Sequence, residues 1–310
     1  MPTVTNISQF AITNVGPLTT VFTPPAACAT AAPELALALS DVAFGEEERH
    51  AVYWRQSCDP VKHGECYPSG AGIDSAVASA ESKGYSEIAT MRYFSPASAC
   101  PDRWTTAGLA TKAANGSVSS SGVFVPPVIA TYEENWLIGY NPPLNVMMEI
   151  LEPEEEAVIC CPQSYTPGIN GDCYSTVPES VYGEKTACIR FVNNDDITMV
   201  TRTMTYNDTT VTGAVWSITV SSRRFEPTTQ TLEPELATSI YPVAFVPGVT
   251  LVNGPARQTD ASGTGTGSGS SPTETPSAAH RVRASGGGVG LVAAVWGIAA
   301  LSGIAVALPL

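Results

Sequence analysis

The sequence is poor in charged residues, and above all in basic ones. Only 15 of its 310 residues are lysine or arginine, against 29 aspartates and glutamates, so the formal net charge is −14. Nucleic-acid binding requires clustered basic side chains that neutralise phosphates, and docking on an anionic membrane surface requires them as well. The composition therefore argues against both kinds of partner.

Several catalytic motifs are also missing. The chain has no glycine-rich phosphate-binding loop and no Gly-x-Ser-x-Gly turn before a helix. Of its three histidines, His280 lies in a C-terminal spacer, and we expect His50 and His63 to be exposed side chains rather than catalytic bases. We therefore name no catalytic residue, no cofactor and no metal ligand, although enzymatic activity stays open.

Two further sets of residues could in principle act on or bind a carbohydrate: pairs of acidic residues and the tryptophans. A glycosidase needs two carboxylates facing one bond, but the acidic pairs are adjacent in sequence, and neighbours on a strand point to opposite faces. Tryptophans stack on sugar rings, yet we expect most of them to be core or covering side chains. The pairs are Glu133-Glu134 and Asp195-Asp196, and the tryptophans are Trp54, Trp104, Trp136 and Trp216.

The eight cysteines indicate a disulfide framework. Their number is even and no Cys-x-x-Cys pair occurs, so disulfides in an oxidising compartment are favoured over zinc. About a hundred pairings are possible, and the sequence does not choose among them. We expect the adjacent Cys160 and Cys161 to have different, distant partners. The disulfide candidates are Cys28, Cys58, Cys66, Cys100, Cys160, Cys161, Cys173 and Cys188.

Three Asn-x-Ser/Thr sequons, at Asn6, Asn115 and Asn207, are candidate N-glycosylation sites and agree with an extracellular body. The first 30 residues nevertheless contain no recognisable secretory signal peptide. The absence of such a signal leaves the orientation of the chain in a membrane open.

The C-terminal residues 289–310 carry no charge and would span about 33 Å as a helix, enough to cross a bilayer. They predict a transmembrane helix or a GPI-attachment tail, with Ser277 as the candidate attachment site before a short spacer. A cytosol-facing tail anchor is the alternative, which Arg281 and Arg283 favour. We expect residues 256–288, rich in Ser, Thr, Gly and Pro, to be a disordered linker.

The remaining chain is expected to be mainly β, as a disulfide-stapled antiparallel ectodomain with minor α/β content. Residues 1–27 predict an extended N-terminal segment, and residues 28–255 a Cys-rich body with a sub-boundary considered near 110–122. Runs of β-branched and aromatic residues predict antiparallel strands. These strands cover 34–39, 187–192, 197–206, 211–220 and 239–246, and a short helix is expected over 73–83.

Four segments together resemble uncharacterised cysteine-rich surface proteins of filamentous fungi. They are the stretch Val15-Gly-Pro-Leu-Thr-Thr-Val-Phe-Thr-Pro-Pro25 before Cys28, Tyr93-Phe-Ser-Pro96 with Cys100-Pro101, Cys160-Cys-Pro-Gln-Ser-Tyr-Thr166 with Cys173, and Ile240-Tyr-Pro-Val243. The resemblance implies a membrane-associated ectodomain with no assigned activity. Many members of this group carry a basic cytoplasmic tail after the membrane helix, and the departure of this chain from that pattern argues against a sensor role.

The expected function is that of a non-catalytic cell-surface protein with a structural or interaction role. Its expected location is the plasma membrane, with the body extracellular. Its partners would be the membrane, through the tail, and cell-wall glycans or other surface proteins. The alternatives are a carbohydrate-active enzyme of the secretory pathway and a tail-anchored accessory protein of a biosynthetic pathway at an internal membrane.

Overall fold

The computed structural model describes residues 1–8, 10–44, 47–83, 90–124, 141–168, 170–191, 197–206, 209–218, 226–232 and 240–254. All of them belong to one of the two compact units of the chain. The linker and the tail, with Ser277, lie outside the described residues. So do Asn207 and both acidic pairs, and these assignments stay predictions.

Strands dominate the described part, as predicted. The early strands are β1 (Asn6–Ile7), β2 (Phe10–Leu18), β3 (Glu34–Phe44), β4 (Glu47–Arg55), β5 (Thr90–Ala97), β6 (Trp104–Lys112), β7 (Val118–Gly122) and β8 (Glu156–Pro162). The later ones are β9 (Thr166–Pro167), β10 (Asp172–Thr176), β11 (Thr186–Phe191), β12 (Ile197–Tyr206), β13 (Thr209–Ile218), β14 (Glu226–Thr231), β15 (Ile240–Pro247) and β16 (Val249–Asn253). Three α-helices accompany them: α1 (Gly70–Ser82), α2 (Pro143–Ile150) and α3 (Glu179–Tyr182).

The largest sheet has seven strands in the order β1-β2-β5-β16-β8-β6-β7. The prediction of antiparallel sheets holds for most pairs but not for β5, which runs parallel to both β2 and β16. Between β2 and β5 the chain makes a long excursion through β3, β4 and α1, and such a crossover is what parallel neighbours require. The sheet also takes β1 and β2 from residues 1–27, which we expected to be only an extended segment.

Both faces of the seven-stranded sheet are covered. Along β8, Ala157 and Ile159 belong to the cluster that includes the buried side chains of α2, whereas Val158 and Cys160 belong to a second cluster. In α2 every residue from Leu144 to Met148 is buried, and the largest of these side chains stabilise the fold by about 2 kcal/mol each. Side chains on both faces of β8 thus pack into apolar clusters, which places the strand inside a layered body.

A second sheet has five antiparallel strands in the order β4-β3-β15-β10-β9. Only Gly248 separates β15 in this sheet from β16 in the seven-stranded sheet. The chain crosses between the same two sheets again from β8 to β9 and β10. The two sheets therefore meet at a shared corner.

Strands β11 to β14 form two antiparallel pairs, which we together call the ribbon. The pair of β11 with β14 is called its base, and the second pair is β12 with β13. The strands predicted over 187–192, 197–206 and 211–220 are confirmed as β11, β12 and β13 to within about two residues. An ion pair between Arg202 on β12 and Glu149 on α2 holds the ribbon to the body.

All eight cysteines form disulfides, as expected from their number. The pairs are Cys28–Cys66, Cys58–Cys188, Cys100–Cys160 and Cys161–Cys173, with Cα–Cα distances of 5.0 to 5.7 Å. No cysteine is free, and the adjacent Cys160 and Cys161 do take different partners. Within the described ranges no helix is both long enough and apolar enough to cross a bilayer.

Candidate functional site

His63 is the first residue that the structure places differently from our expectation. Its side chain is only 10% exposed, and its Nδ1 lies 3.1 Å from Oδ1 of Asp74 on α1. The backbone N–H groups of His63 and Gly64 also donate to the Asp74 carboxylate, at 3.0 and 2.9 Å. The Cys28–Cys66 disulfide and the 3₁₀ turn Gly64–Cys66 hold this segment in place. The expectation of an exposed His63 is therefore wrong.

Electrostatics in this cluster follow from burial and from the pairing. Burial lowers the pKa of the His63 ring. The Asp74 carboxylate opposes this lowering, whereas the positive charge of the nearby Arg92 adds to it. For Asp74, desolvation alone would raise the pKa, but the hydrogen bonds from His63 and Gly64 together lower it. The carboxylate is therefore charged across the physiological range and fixes the turn before α1.

A histidine oriented by a carboxylate is the arrangement of a general base. In the described part, the His63 ring contacts Asp74, the Val61 backbone and the Tyr67 ring, whose centroid is 4.9 Å away. No hydroxyl or thiol in that part bonds the ring. The pair acts as a structural clamp on the turn, because the Asp74 carboxylate accepts the backbone N–H groups of His63 and Gly64.

Tyr67 links this clamp to the corner between the two sheets. Its ring packs edge-on against Trp104 at 6.2 Å, and its hydroxyl donates to the Gly248 carbonyl at 2.5 Å. Burial raises the pKa of the Tyr67 hydroxyl, so it stays a donor at any physiological pH. One side chain thus contacts both the His63 ring of the clamp and the backbone of the corner.

The corner consists of Gly168, Gly171, Asp172, Pro247 and Gly248, next to the Cys161–Cys173 disulfide. A Cβ atom on Gly248 would lie 2.1 Å from the Gly171 carbonyl oxygen, and one on Gly168 would lie 2.1 Å from Oδ1 of Asp172. Only glycine permits so close an approach. The backbone of the corner is therefore packed without room for side chains.

Asp172 is the unexpected residue of the corner. It is 6% exposed, and neither carboxyl oxygen accepts a hydrogen bond from another residue within the described ranges. Its strand neighbour is Pro247, which has no N–H to offer. Burial raises the pKa of Asp172 to about 7, and its own backbone N–H only partly opposes this. Nothing in the local sequence separates this aspartate from an ordinary exposed turn residue.

The tryptophans that the structure describes serve the core, as expected. Trp54 packs against the cluster of Leu37, Tyr182 and Ile240, and Trp104 packs on the second face of the seven-stranded sheet. The side chains of Trp136 and Trp216 lie outside the described part. The side chains of Trp54 and Trp104 are both partly buried.

The asparagines of two of the three sequons are exposed, although Ser8 of the Asn6 sequon is buried. Asn6 is exposed on β1, and Asn115 is exposed in the turn between β6 and β7. There the Ser117 N–H and hydroxyl both donate to Oδ1 of Asn115, at 3.0 and 2.8 Å, and Gly116 takes a positive φ of 86°. An exposed turn of this kind accommodates a glycan without disturbing the fold.

In the acidic run of residues 152–156, Glu155 is buried whereas Glu154 is exposed. Glu155 is 2% exposed and pairs with the amino group of Met1, and Oε2 of Glu155 accepts the Glu152 N–H at 2.8 Å. Glu156 begins β8. No group of three or more metal-ligating side chains occurs among the described residues.

No protein-family model matches this chain, and no match was found among curated proteins or among solved structures. Its function therefore has to be inferred from its own residues.

Proposed function

We propose that this chain is a non-catalytic, membrane-anchored surface protein whose β body has a structural or interaction role outside the cell. The observation that carries the proposal is the pairing of all eight cysteines in four disulfides. Disulfides persist in secreted and surface proteins and are rare in the reducing cytosol. The pairing supports the extracellular alternative over a cytosol-facing tail anchor.

The disulfides are also too important to the fold to be incidental. Three of them close loops with sequence separations of 38, 60 and 130 residues. Each such bridge stabilises the folded state by about 4 to 5 kcal/mol in the chain-entropy model, when considered alone. A domain is stable by only about 5 to 15 kcal/mol in total. A reduced chain would lose most of that margin.

The parts outside the described residues complete the proposal. Residues 256–288 would act as a stalk and residues 289–310 as the membrane anchor, either as a helix or as a GPI signal with Ser277 as the attachment site. The exposed sequon asparagines Asn6 and Asn115 agree with a body that passes through the secretory pathway.

The partner class that we favour is a neutral wall glycan. On one face of the ribbon the exposed threonine pairs Thr203–Thr212 and Thr205–Thr210 hold their hydroxyls 2.8 and 2.9 Å apart. Uncharged hydroxyls in fixed positions suit a polysaccharide, whereas a protein of charge −14 would repel an acidic polymer. Sedimentation with insoluble glucan, comparing wild type with T203V/T212V, tests this choice of partner.

The main proposal is tested by expression of the full chain in a filamentous fungus. We expect an N-glycosidase to increase gel mobility, thiol alkylation without reductant to label no cysteine, and antibodies to reach the body on intact cells. N115Q is the matched control, because it removes one sequon from an exposed turn and should reduce the shift. Full alkylation of all eight cysteines together with an unchanged mobility would refute the surface location.

A further inference from the structure

Asp172 is a buried acid for which the fold provides no counterpart. A buried carboxylate normally pairs with a cation or accepts several hydrogen bonds, because burial of a bare charge is costly. Here both carboxyl oxygens lack a partner from other described residues, and the backbone around them consists of glycines packed too closely to admit a side chain. The site is compatible with a neutral carboxyl group and not with an ionised one.

The described surroundings of Asp172 contain no charge that would compensate for its ionisation. Within the described part, β15 contributes Pro247 opposite it, and β8 contributes Cys161, which is in a disulfide. The titratable group that interacts with Asp172 is Tyr174 on the same strand. Burial raises the pKa of the Tyr174 hydroxyl, so this side chain stays neutral. Neither a basic side chain nor a second carboxylate affects the titration of Asp172.

We propose that the corner is a pH-sensitive joint, closed when Asp172 is protonated and opened when the carboxyl group ionises and moves to water. The moving part is the turn between β9 and β10, which carries Gly171 and packs on Gly248. In the open state the Cys161–Cys173 disulfide becomes accessible; in the closed state its two cysteines are 1% and 0% exposed. The joint concerns the body alone and does not depend on the surface function.

The direction of the pH response follows from the two states. In the open state the carboxyl group has its ordinary pKa of 3.8, and in the closed state burial raises the pKa to about 7. Between pH 3.8 and about 7, opening of the corner is therefore accompanied by release of a proton. In this range the equilibrium constant for opening rises about tenfold per pH unit, and it levels off near neutrality. The closed state is favoured in acid.

The joint is tested by comparing how fast Cys161–Cys173 is reduced with how fast Cys58–Cys188 is reduced in the same molecule. A phosphine reductant is applied in brief pulses between about pH 4.5 and 8, and each disulfide is quantified by alkylation and peptide mass spectrometry. Cys58–Cys188 is the internal reference, since it lies at the base of the ribbon. We expect the ratio of the two reduction rates to rise roughly a hundredfold and then to plateau.

The variant D172N separates the joint from other sources of pH dependence. Asparagine keeps the shape of the protonated acid but does not ionise, so the ratio should be low and independent of pH. A flat ratio in the wild type would overturn the proposal, whether or not the variant folds. The same rise in D172N as in wild type would overturn it as well.

Discussion

The Cys58–Cys188 disulfide should contribute more to stability than any local contact in the ribbon. It joins the segment after β4 to β11, at the base of the ribbon, across 130 residues of sequence. Its replacement by alanines in C58A/C188A removes one cross-link and leaves the other three. We expect the variant to fold but to be markedly less stable.

The magnitude depends on the other disulfides, because they shorten the loop that Cys58–Cys188 closes. With Cys100–Cys160 and Cys161–Cys173 intact, the shortest covalent path between its ends is about 58 residues. For this loop length the chain-entropy model predicts that the disulfide stabilises the fold by about 4 kcal/mol, compared with about 5 kcal/mol for the full sequence separation. The local bridge Cys161–Cys173, with a separation of 12, gives about 3.

Urea unfolding of the oxidised proteins measures this loss, and hydrogen exchange locates it. We expect the free energy of unfolding to fall by about 4 kcal/mol and amide protection to be lost first in β11 and β14. A loss below about 1 kcal/mol would refute the reasoning. So would a loss of the expected size with protection unchanged in the ribbon, since the disulfide would then not be what orders it.

Three further outcomes are expected from equilibrium unfolding and thermal melting. The pKa of Asp172 is raised from 3.8 to about 7 in the folded state. The free energy of unfolding should therefore be highest in acid and fall by about 4 kcal/mol as the pH rises from 3.8 to about 7. The variant D172N should lack this loss. G248A should destabilise the fold by about 3 kcal/mol, because the added Cβ would clash with the Gly171 carbonyl oxygen. The control G72A adds a Cβ on the open face of α1 and should stabilise the fold by about 0.5 to 1 kcal/mol. Y67F should cost about 1 kcal/mol through the lost hydrogen bond to Gly248, and an unchanged melting temperature would contradict that bond.

Local patterns were enough to predict the ribbon. Its strands are rich in β-branched residues and are separated by short polar segments, and antiparallel neighbours need no distant information. Helix α1 was predictable in the same way from its alanine-rich sequence. The even number of cysteines likewise predicted disulfides, because that inference requires composition and not geometry.

The elements that escaped prediction are those whose partners are distant. Strand β2 contains Gly16 and Pro17 and became a strand through its parallel pairing with β5, about 80 residues later. Helix α2 has eight residues and begins at Pro143, so its sequence reads as a loop, and burial against the sheet is what stabilises it. Tertiary packing overrode the weak local signal in both elements.

The same cause explains why neither buried polar cluster was predicted. His63 is buried because Asp74 on α1 and the disulfide to Cys28 fold its segment inward, and Asp172 is buried because Gly248, far along the chain, closes over the adjacent turn. Tyr67 connects them by donating to the same Gly248 whose Cα faces Gly171. We therefore expect a displacement of the turn beside Asp172 to weaken the hydrogen bond of Tyr67, a residue four positions after His63. We expect the pH response of the corner to extend to the Gly64–Cys66 turn, and hydrogen exchange there, compared between wild type and D172N, would detect it.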